Sequence, residues 1–385
     1  MNILYVMRYW PVYGGGETVT VTLANEFVKR GHNVFVVYKH ENFCTPMPYE
    51  VDNRVCAEKM YTIEHYTIDD VNRLHRFIIK HNIDVMINQW GDTSLCAKAK
   101  IGSNCKLITC CHSSVIRKAC NNLVGRAKLI RRCLGEALSQ KYFAWKQIKN
   151  HNFNYKLSDK YIFLSPFFVN DYISVSGIKD KAHKLGAISN PLTYEYTYDV
   201  SQYLSKQKKA LFVGRILEYP KRLSYVLKIW KKIEDDTKFD DWSLTIVGDG
   251  PDMQATKELA SSLALHKVFF EGFKNPRPYY EEASVFMMTS AFEGFGMTLV
   301  EAQQYATVPV VMDTYGSLHD IIVDGKNGII IPDNDLDGCA EAMKKLMSEA
   351  DYRERLAKDG LQSCKKFAIS TICDKWINLF KEIKK

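Results

Sequence analysis

The hydrophobic pattern alternates between short unbroken apolar runs and longer amphipathic stretches. Residues 2–7 form such a run and predict a strand. Residues 17–30, with Val19, Leu23, Ala24 and Phe27 on one face, predict a helix that Gly31 ends. Residues 33–38 predict the next strand, so the chain opens on a βαβ unit. Its first turn, 9–16, carries Pro11 and the triplet Gly14-Gly15-Gly16. The rhythm continues with a helix over 70–81, strands over 85–88, 106–110 and 160–165, and a helical segment after Pro166. Residues 186–191 close a first domain, 1–192. Residues 193–207 are polar, Tyr-rich and aperiodic, and read as a linker.

The pattern then restarts. A strand over 209–215, a helix over 223–233 and a strand over 243–248 repeat the opening β-loop-α-β order. Strands over 268–273, 283–288, 309–312 and 329–332 follow, with a turn at 325–328 and two more helical segments. A last amphipathic stretch carries Ile372, Trp376, Leu379 and Phe380. The restart predicts two Rossmann-like α/β domains with parallel sheets, the second over 205–367.

Composition narrows the class. The chain has 385 residues, 46% hydrophobic and 25% charged, as a globular protein of two domains would. The start reads as a strand interrupted by Arg8, not as a signal peptide, and no apolar run is long enough to span a bilayer. The 11 cysteines are scattered without a C-x-x-C pair, and Cys110-Cys111 are adjacent. They read as reduced, mostly buried thiols of a cytoplasmic protein. No metal-ligand spacing is present. The net charge of +8 fits an anionic partner. Much of it lies in 116–150, where Arg117, Lys118, Arg126, Lys128, Arg131, Arg132, Lys141, Lys146 and Lys149 face a single acid, Glu136. Ile116, Cys120, Leu123, Ala127, Ile130, Leu134 and Ala137 recur there at helical spacing. A helix of this kind either packs its stripe on the sheet or lies on an anionic membrane.

The chemistry concentrates at Ser290-Ala291-Phe292-Glu293-Gly294-Phe295-Gly296-Met297-Thr298-Leu299-Val300-Glu301-Ala302. A buried strand ends in a Gly-containing turn and a helix opens near Met297, so unpartnered N–H groups and the helix dipole favour an anion there. Gly294 and Gly296 permit close approach. Glu293 and Glu301 flank the turn. Two carboxylates repel a bare phosphate but suit the hydroxyl groups of a sugar nucleotide. By spacing alone, these acids could equally be a helix-stabilising acid and an exposed loop acid.

Glu293 to Met297 followed by Glu301-Ala302 resembles the E-x7-E signature of family-4 retaining glycosyltransferases, which have the GT-B architecture of two Rossmann-like domains facing across a cleft. The resemblance implies transfer of a hexose from a nucleoside-diphosphate sugar to a glycan or lipid-linked glycan in polysaccharide biosynthesis, with retention. It implies no cofactor and no metal. In Gly214-Arg215-Ile216-Leu217-Glu218-Tyr219-Pro220-Lys221-Arg222, Arg215 and Lys221 match the cations that grip the donor diphosphate. Charge gathering on a leaving diphosphate calls for such fixed cations. Gly272 matches the backbone contact to the base, Glu301 the carboxylate on the ribose, and Glu293 the acid near the donor sugar. The N–H groups of Met297, Thr298 and Leu299, past Gly296, would meet the diphosphate. Gly15 and Gly16 match the glycine loop under the phosphates. His112, after the 106–110 strand, matches a histidine facing the donor sugar, and Gln89-Trp90-Gly91-Asp92 would face the same cleft. The family usually has a short strand and an Asn-Gly turn where this chain has Asn190-Pro191, which leaves the role of Asn190 open. The final helix, 368–385, would cross back onto the first domain. The partners implied are the nucleotide sugar, the acceptor and an anionic membrane under 116–150, on the inner face of the plasma membrane, with no nucleic acid. The alternatives are a GT-B sugar-nucleotide epimerase and a non-catalytic anionic-ligand-binding protein. No helix-turn-helix or RNP-like signature supports a nucleic-acid module, and neither half has the clean G-x-G-x-x-G of an oxidoreductase.

Overall fold

The computed structural model describes residues 1–10, 15–40, 50–60, 66–116, 125–195 and 198–384, with side chains of 125–127 excepted. Pro11, Gly14, Arg117, Lys118, Cys120 and Leu123, and the side chains of Arg126 and Ala127, lie outside these. The chain divides into two compact units, Met1–Thr193 with Ile369–Lys385, and Tyr194–Ala368.

The first unit holds seven parallel strands: β1 (Asn2–Tyr9), β2 (Asn33–His40), β3 (Cys56–Lys59), β4 (Val85–Asn88), β5 (Lys106–Cys111), β6 (Lys160–Phe163) and β7 (Leu185–Ala187). Their order is β3-β2-β1-β4-β5-β6-β7, so the order reverses between β1 and β4. Ligands of doubly wound sheets sit beyond the strand C-termini at such a switch. The helices are α1 (Gly15–Lys29), α2 (Ile68–Lys80), α3 (Thr93–Ala99), α4 (Gly125–Leu157) and α5 (Pro166–Ser176). Local signals set their ends. Thr67 and Asp70 form a capping box at α2. Ser165 caps α5 ahead of Pro166, and Gly177 ends it in a left-handed conformation.

The second unit holds β8 (Gln207–Val213), α6 (Glu218–Lys221), α7 (Leu223–Glu234), β9 (Ser243–Val247), α8 (Met253–Ser262), β10 (Val268–Gly272), α9 (Arg277–Glu282), β11 (Ala283–Met288), α10 (Met297–Gln304), β12 (Val308–Asp313), β13 (Ile329–Pro332), α11 (Leu336–Ser348) and α12 (Ala350–Cys364). Its sheet is parallel in the order β10-β9-β8-β11-β12-β13, reversing between β8 and β11. β11 is buried along its whole length.

The last helix, α13 (Ile369–Lys384), belongs to the first unit. Phe380 packs on Phe27 of α1 with ring centroids 5.6 Å apart. Arg30 pairs with Asp374 and donates to the Ser370 carbonyl at 3.1 Å, and Lys160 pairs with Glu382 at 2.6 Å.

Several expectations change. α1 begins at Gly15, so two of the loop glycines form its first turn. The segment read as a linker contains a 3-10 helix, Val200–Ser205, and buries Tyr198 and Tyr203. The basic stretch is broken at Gly135, where φ is +72°, and does not form one continuous helix. Its apolar stripe does not pack on the sheet as a whole, since Leu134 and Ala137 are exposed. α4 docks instead through its C-terminal half, where His151 meets the Tyr161 hydroxyl at 2.6 Å and the Val115 carbonyl at 2.9 Å. No disulfide joins the described cysteines, of which Cys56 and Cys133 are exposed.

Candidate active site

In the second unit the loops beyond β8, β10 and β11 carry the candidate residues. The loop after β8 is braced by the loop after β9. Gly214 N–H donates to the Val247 carbonyl at 3.0 Å, Ile216 N–H to the Asp249 carbonyl at 2.9 Å, and Glu218 N–H to Asp252 Oδ2 at 2.7 Å. The two backbones lie so close that a Cβ on Gly248 would sit 1.8 Å from the Gly214 oxygen, at a φ of +142°. Arg215 projects from this braced loop, exposed and with no side-chain bond to the described residues.

The same loop is tied to the turn after β11. Thr289 Oγ1 lies 3.0 Å from the Lys221 carbonyl and 3.1 Å from that of Arg222, and Ala291 N–H donates to the Pro220 carbonyl at 2.7 Å. Lys221 Nζ donates to Glu293 Oε1 at 2.6 Å, with the side chains 19% and 16% exposed. Residues 72 apart in sequence are thereby brought into one ion pair. An ammonium has three donors, so this pair leaves Lys221 capacity for a further acceptor.

The turn ends at Gly296, whose φ of +92° is a left-handed conformation that glycine adopts without strain. A Cβ there would also stand 2.9 Å from the Tyr315 hydroxyl. α10 then begins at Met297. The Leu299 N–H is not an open donor as expected, because it bonds the Gly296 carbonyl at 3.0 Å. Of the three first-turn donors expected there, this leaves the Met297 and Thr298 N–H groups. Glu301 lies in the second turn, 7% exposed, and accepts from the Tyr280 hydroxyl at 3.0 Å. Gly272 ends β10 with a φ of +70°, its carbonyl accepting from Gly248 N–H at 2.8 Å and no atom within 4 Å of a Cβ position. Arg215, Lys221, Glu293, Gly296 and Glu301 therefore lie in the segments that follow β8 and β11, at the switch of this sheet.

A second cluster forms at the switch of the first sheet. Trp90, after β4, stacks on His112, after β5, with centroids 4.1 Å apart and planes at 16°. The Trp90 ring passes over the first turn of α1, where a Cβ on Gly16 would fall 1.7 Å from Trp90 Cη2. Gly15 is the first residue of the same turn. His112 Nε2 is hydrogen-bonded to Gln89 Oε1, while Nδ1 is buried without a partner. Burial pushes the imidazole pKa down to about 3, so the ring is neutral near pH 7. It can exchange hydrogen bonds there but does not act as a cation. Asn190 is buried and lines a cavity of about 10 Å³ with Gln89, Cys110, His112, Ser189 and Trp376. Asp92 does not join them: its carboxylate caps α3 through the N–H groups of Ser94 at 2.8 Å and Leu95 at 3.1 Å.

Sequence reasoning missed the braces Thr289, Tyr280, Tyr315 and Asp252. The Gly248-Asp249-Gly250-Pro251 run at a strand end was the one local signal of a close backbone approach.

Known proteins share this organisation. The family model for Glycosyltransferase Family 4 matches residues 13–191, and that for Glycosyl transferases group 1 matches 199–363. An alpha-1,4-N-acetyl-D-galactosaminyltransferase of Campylobacter jejuni, named for a diNAcBac-PP-undecaprenol-linked glycan, is 24% identical over 96% of both chains. The amylovoran biosynthesis glycosyltransferase AmsD of Erwinia amylovora is 28% identical over 58% of this chain and 62% of its own. Among solved structures, Anabaena HepE in complex with UDP superposes with a TM-score of 0.72 at 14% identity, covering 99% of this chain and 100% of the other. The lipopolysaccharide outer core galactosyltransferase WaaB gives 0.69 at 17%, again over 99% and 100%. The chain belongs to the family-4 glycosyltransferases of GT-B fold, and it is a glycosyltransferase.

Proposed function

We propose that the protein moves a hexose from a UDP-sugar to a glycan or lipid-linked glycan in surface-polysaccharide assembly, retaining the anomeric configuration. The Lys221–Glu293 pair carries this reading, because it sets a cation and an anion side by side at the start of α10. In the proposed reaction Arg215 and Lys221 hold the diphosphate, aided by Met297 and Thr298 N–H groups at the Gly296 turn. Glu301 holds the ribose, and the Gly272 backbone meets the base. As the glycosidic bond breaks, negative charge gathers on the leaving phosphate and positive charge on the sugar. The two cations stabilise the first and Glu293 the second. The leaving phosphate takes the acceptor's proton. Within the first unit His112 is neutral, and its Nδ1 is the ring atom left to bond a sugar hydroxyl. Fixed cations do the work a divalent ion does elsewhere, so the reaction runs without a metal.

The names of relatives support the substrate classes: a PP-undecaprenol-linked glycan, amylovoran, and UDP in a solved neighbour. A lipid-linked acceptor fits the surface of α4, where Leu129, Leu138 and Trp145 are 60%, 58% and 56% exposed among Lys128, Arg132, Lys141, Lys146 and Lys149. Apolar side chains between cations suit the interface of an anionic bilayer. No described helix is long and apolar enough to cross one. The proposed location is peripheral, on the cytoplasmic face of the plasma membrane.

The test is incubation with UDP- and GDP-sugars, with and without polyprenyl-diphosphate-linked acceptors. Nucleotide release that requires acceptor, with an α-linked product from an α-linked donor, is the expected result. Conversion of donor alone would point to an epimerase, and a β-linked product would overturn retention.

A further inference from the structure

Tyr280 lies in α9, between β10 and β11, and is fully buried. It is anchored at three places. Its carbonyl accepts from Lys206 Nζ at 2.6 Å and from Thr307 Oγ1 at 2.8 Å. Its ring lies parallel to that of Tyr305, at 5° and 6.1 Å, and 6.1 Å from Phe286. Its hydroxyl reaches α10, 3.0 Å from Glu301 Oε2 and 3.3 Å from the Thr298 carbonyl oxygen. Tyr305 ends α10, so one residue touches the helix both at its C-terminus and at Glu301.

This matters because Glu301 is almost enclosed. A carboxylate has two oxygens in one plane, and a donor on one of them fixes the direction of the other's lone pairs. A ring packed on two sides cannot follow the carboxylate if it swings, so the phenol sets the orientation instead of adapting to it. A site that holds its polar groups ready avoids the cost of ordering them when the ligand arrives.

We propose that Tyr280 is a positioning residue for donor binding: its hydroxyl, on Glu301 Oε2, holds the carboxylate in the orientation that accepts a hydrogen bond from a ribose hydroxyl of the nucleotide. The proposal rests on the reading of Glu301 as the ribose carboxylate.

Tyr280→Phe keeps the ring and its stacking and removes only the hydroxyl. Binding is measured by calorimetry with UDP or GDP, whichever raises Tm more, and with the matching nucleotide lacking both ribose hydroxyls. Wild type is expected to lose about tenfold or more in affinity when the ribose hydroxyls are removed. Tyr280→Phe is expected to bind the full nucleotide about tenfold more weakly and to be nearly indifferent to the missing hydroxyls. In turnover the loss falls on donor KM more than on kcat. A purely structural role would lower affinity for both nucleotides alike and leave their ratio as in wild type. If Glu301→Ala loses the discrimination and Tyr280→Phe keeps it, Tyr280 has no positioning role. If Glu301→Ala keeps it as well, the ribose reading of Glu301 fails, and this proposal with it.

Discussion

Glu293→Gln changes one charge and almost no volume, which makes it the sharpest perturbation of the proposed site. Its carboxylate stands 2.6 Å from Lys221 Nζ, and neither side chain is more than a fifth exposed. The pair therefore falls between two limits. An exposed ion pair contributes about 0–1 kcal/mol. Removing one partner of a fully buried pair costs about 3–5 kcal/mol. Glutamine keeps an acceptor oxygen in place, so a hydrogen bond to the ammonium survives in weaker form. The stability loss should be about 1–2 kcal/mol, which leaves the protein folded. The catalytic loss should be larger, because an amide cannot oppose positive charge building on the sugar. Deleting one such electrostatic stabiliser costs on the order of 10²–10³ in kcat, about 3–4 kcal/mol. Donor KM should move little, since the proposed site assigns ribose, base and most of the diphosphate to other groups. The assay is acceptor-dependent nucleotide release over a donor series, with Tm measured on the same preparations. A kcat within about threefold of wild type, beside a lowered Tm, would make Glu293 a brace for Lys221 and remove it from the chemistry.

Arg215→Ala should leave stability within about 0.5 kcal/mol, because the side chain is exposed and unbonded to the described residues, and should raise donor KM about tenfold or more. Unchanged donor KM would take Arg215 out of the diphosphate site. His112 gives a pH signature. The unfolded chain takes up a proton near pH 6.5 that the folded chain refuses until about pH 3, so its contribution to stability is lost as pH falls through that window. His112→Gln should show a shallower loss of unfolding free energy between about pH 7 and pH 5, and parallel slopes would contradict the buried neutral ring. Activity should persist in excess EDTA, and a complete loss restored by Mg²⁺ or Mn²⁺ would refute the metal-free mechanism. The protein should co-sediment with anionic vesicles, release in high salt and bind neutral vesicles poorly. Replacing Lys128, Arg132, Lys141 and Lys146 with Gln should weaken attachment by about 1 kcal/mol each, and equal sedimentation of this variant and wild type would remove α4 from the membrane account.

The sheets were legible because strands buried on both faces read as unbroken apolar runs, and β11 is buried throughout. β3 had no such signal: Cys56-Ala57-Glu58-Lys59 is an exposed edge strand. The start of α1 was misplaced because propensity speaks against glycine in a helix, while the Trp90 ring leaves no room for a Cβ at position 16. That constraint comes from a residue 74 positions away and has no trace in the local pattern. The buried Tyr198 and Tyr203 are a similar case. Tyr198 N–H donates to the Gln304 carbonyl at 3.3 Å, a contact with α10 that no periodicity in 193–207 announces.

The candidate site divides along the same line. Arg215, Lys221, Glu293 and Glu301 stand out by type, since charged residues at strand ends beside glycines are chemically conspicuous. Thr289, Tyr280 and Asp252 do not, because a side chain that holds a backbone group or a carboxylate is an ordinary residue until its partner is known. Yet these braces decide what the conspicuous groups can do. Lys221 meets Glu293 only because Thr289 and Ala291 bind the backbone beside it, and Arg215 projects where it does because Gly248 lets the β9 loop approach. Reacting groups are selected for chemistry that a sequence displays one residue at a time. Their geometry is set by pairwise contacts, and a single sequence records the two members of each pair without recording that they meet.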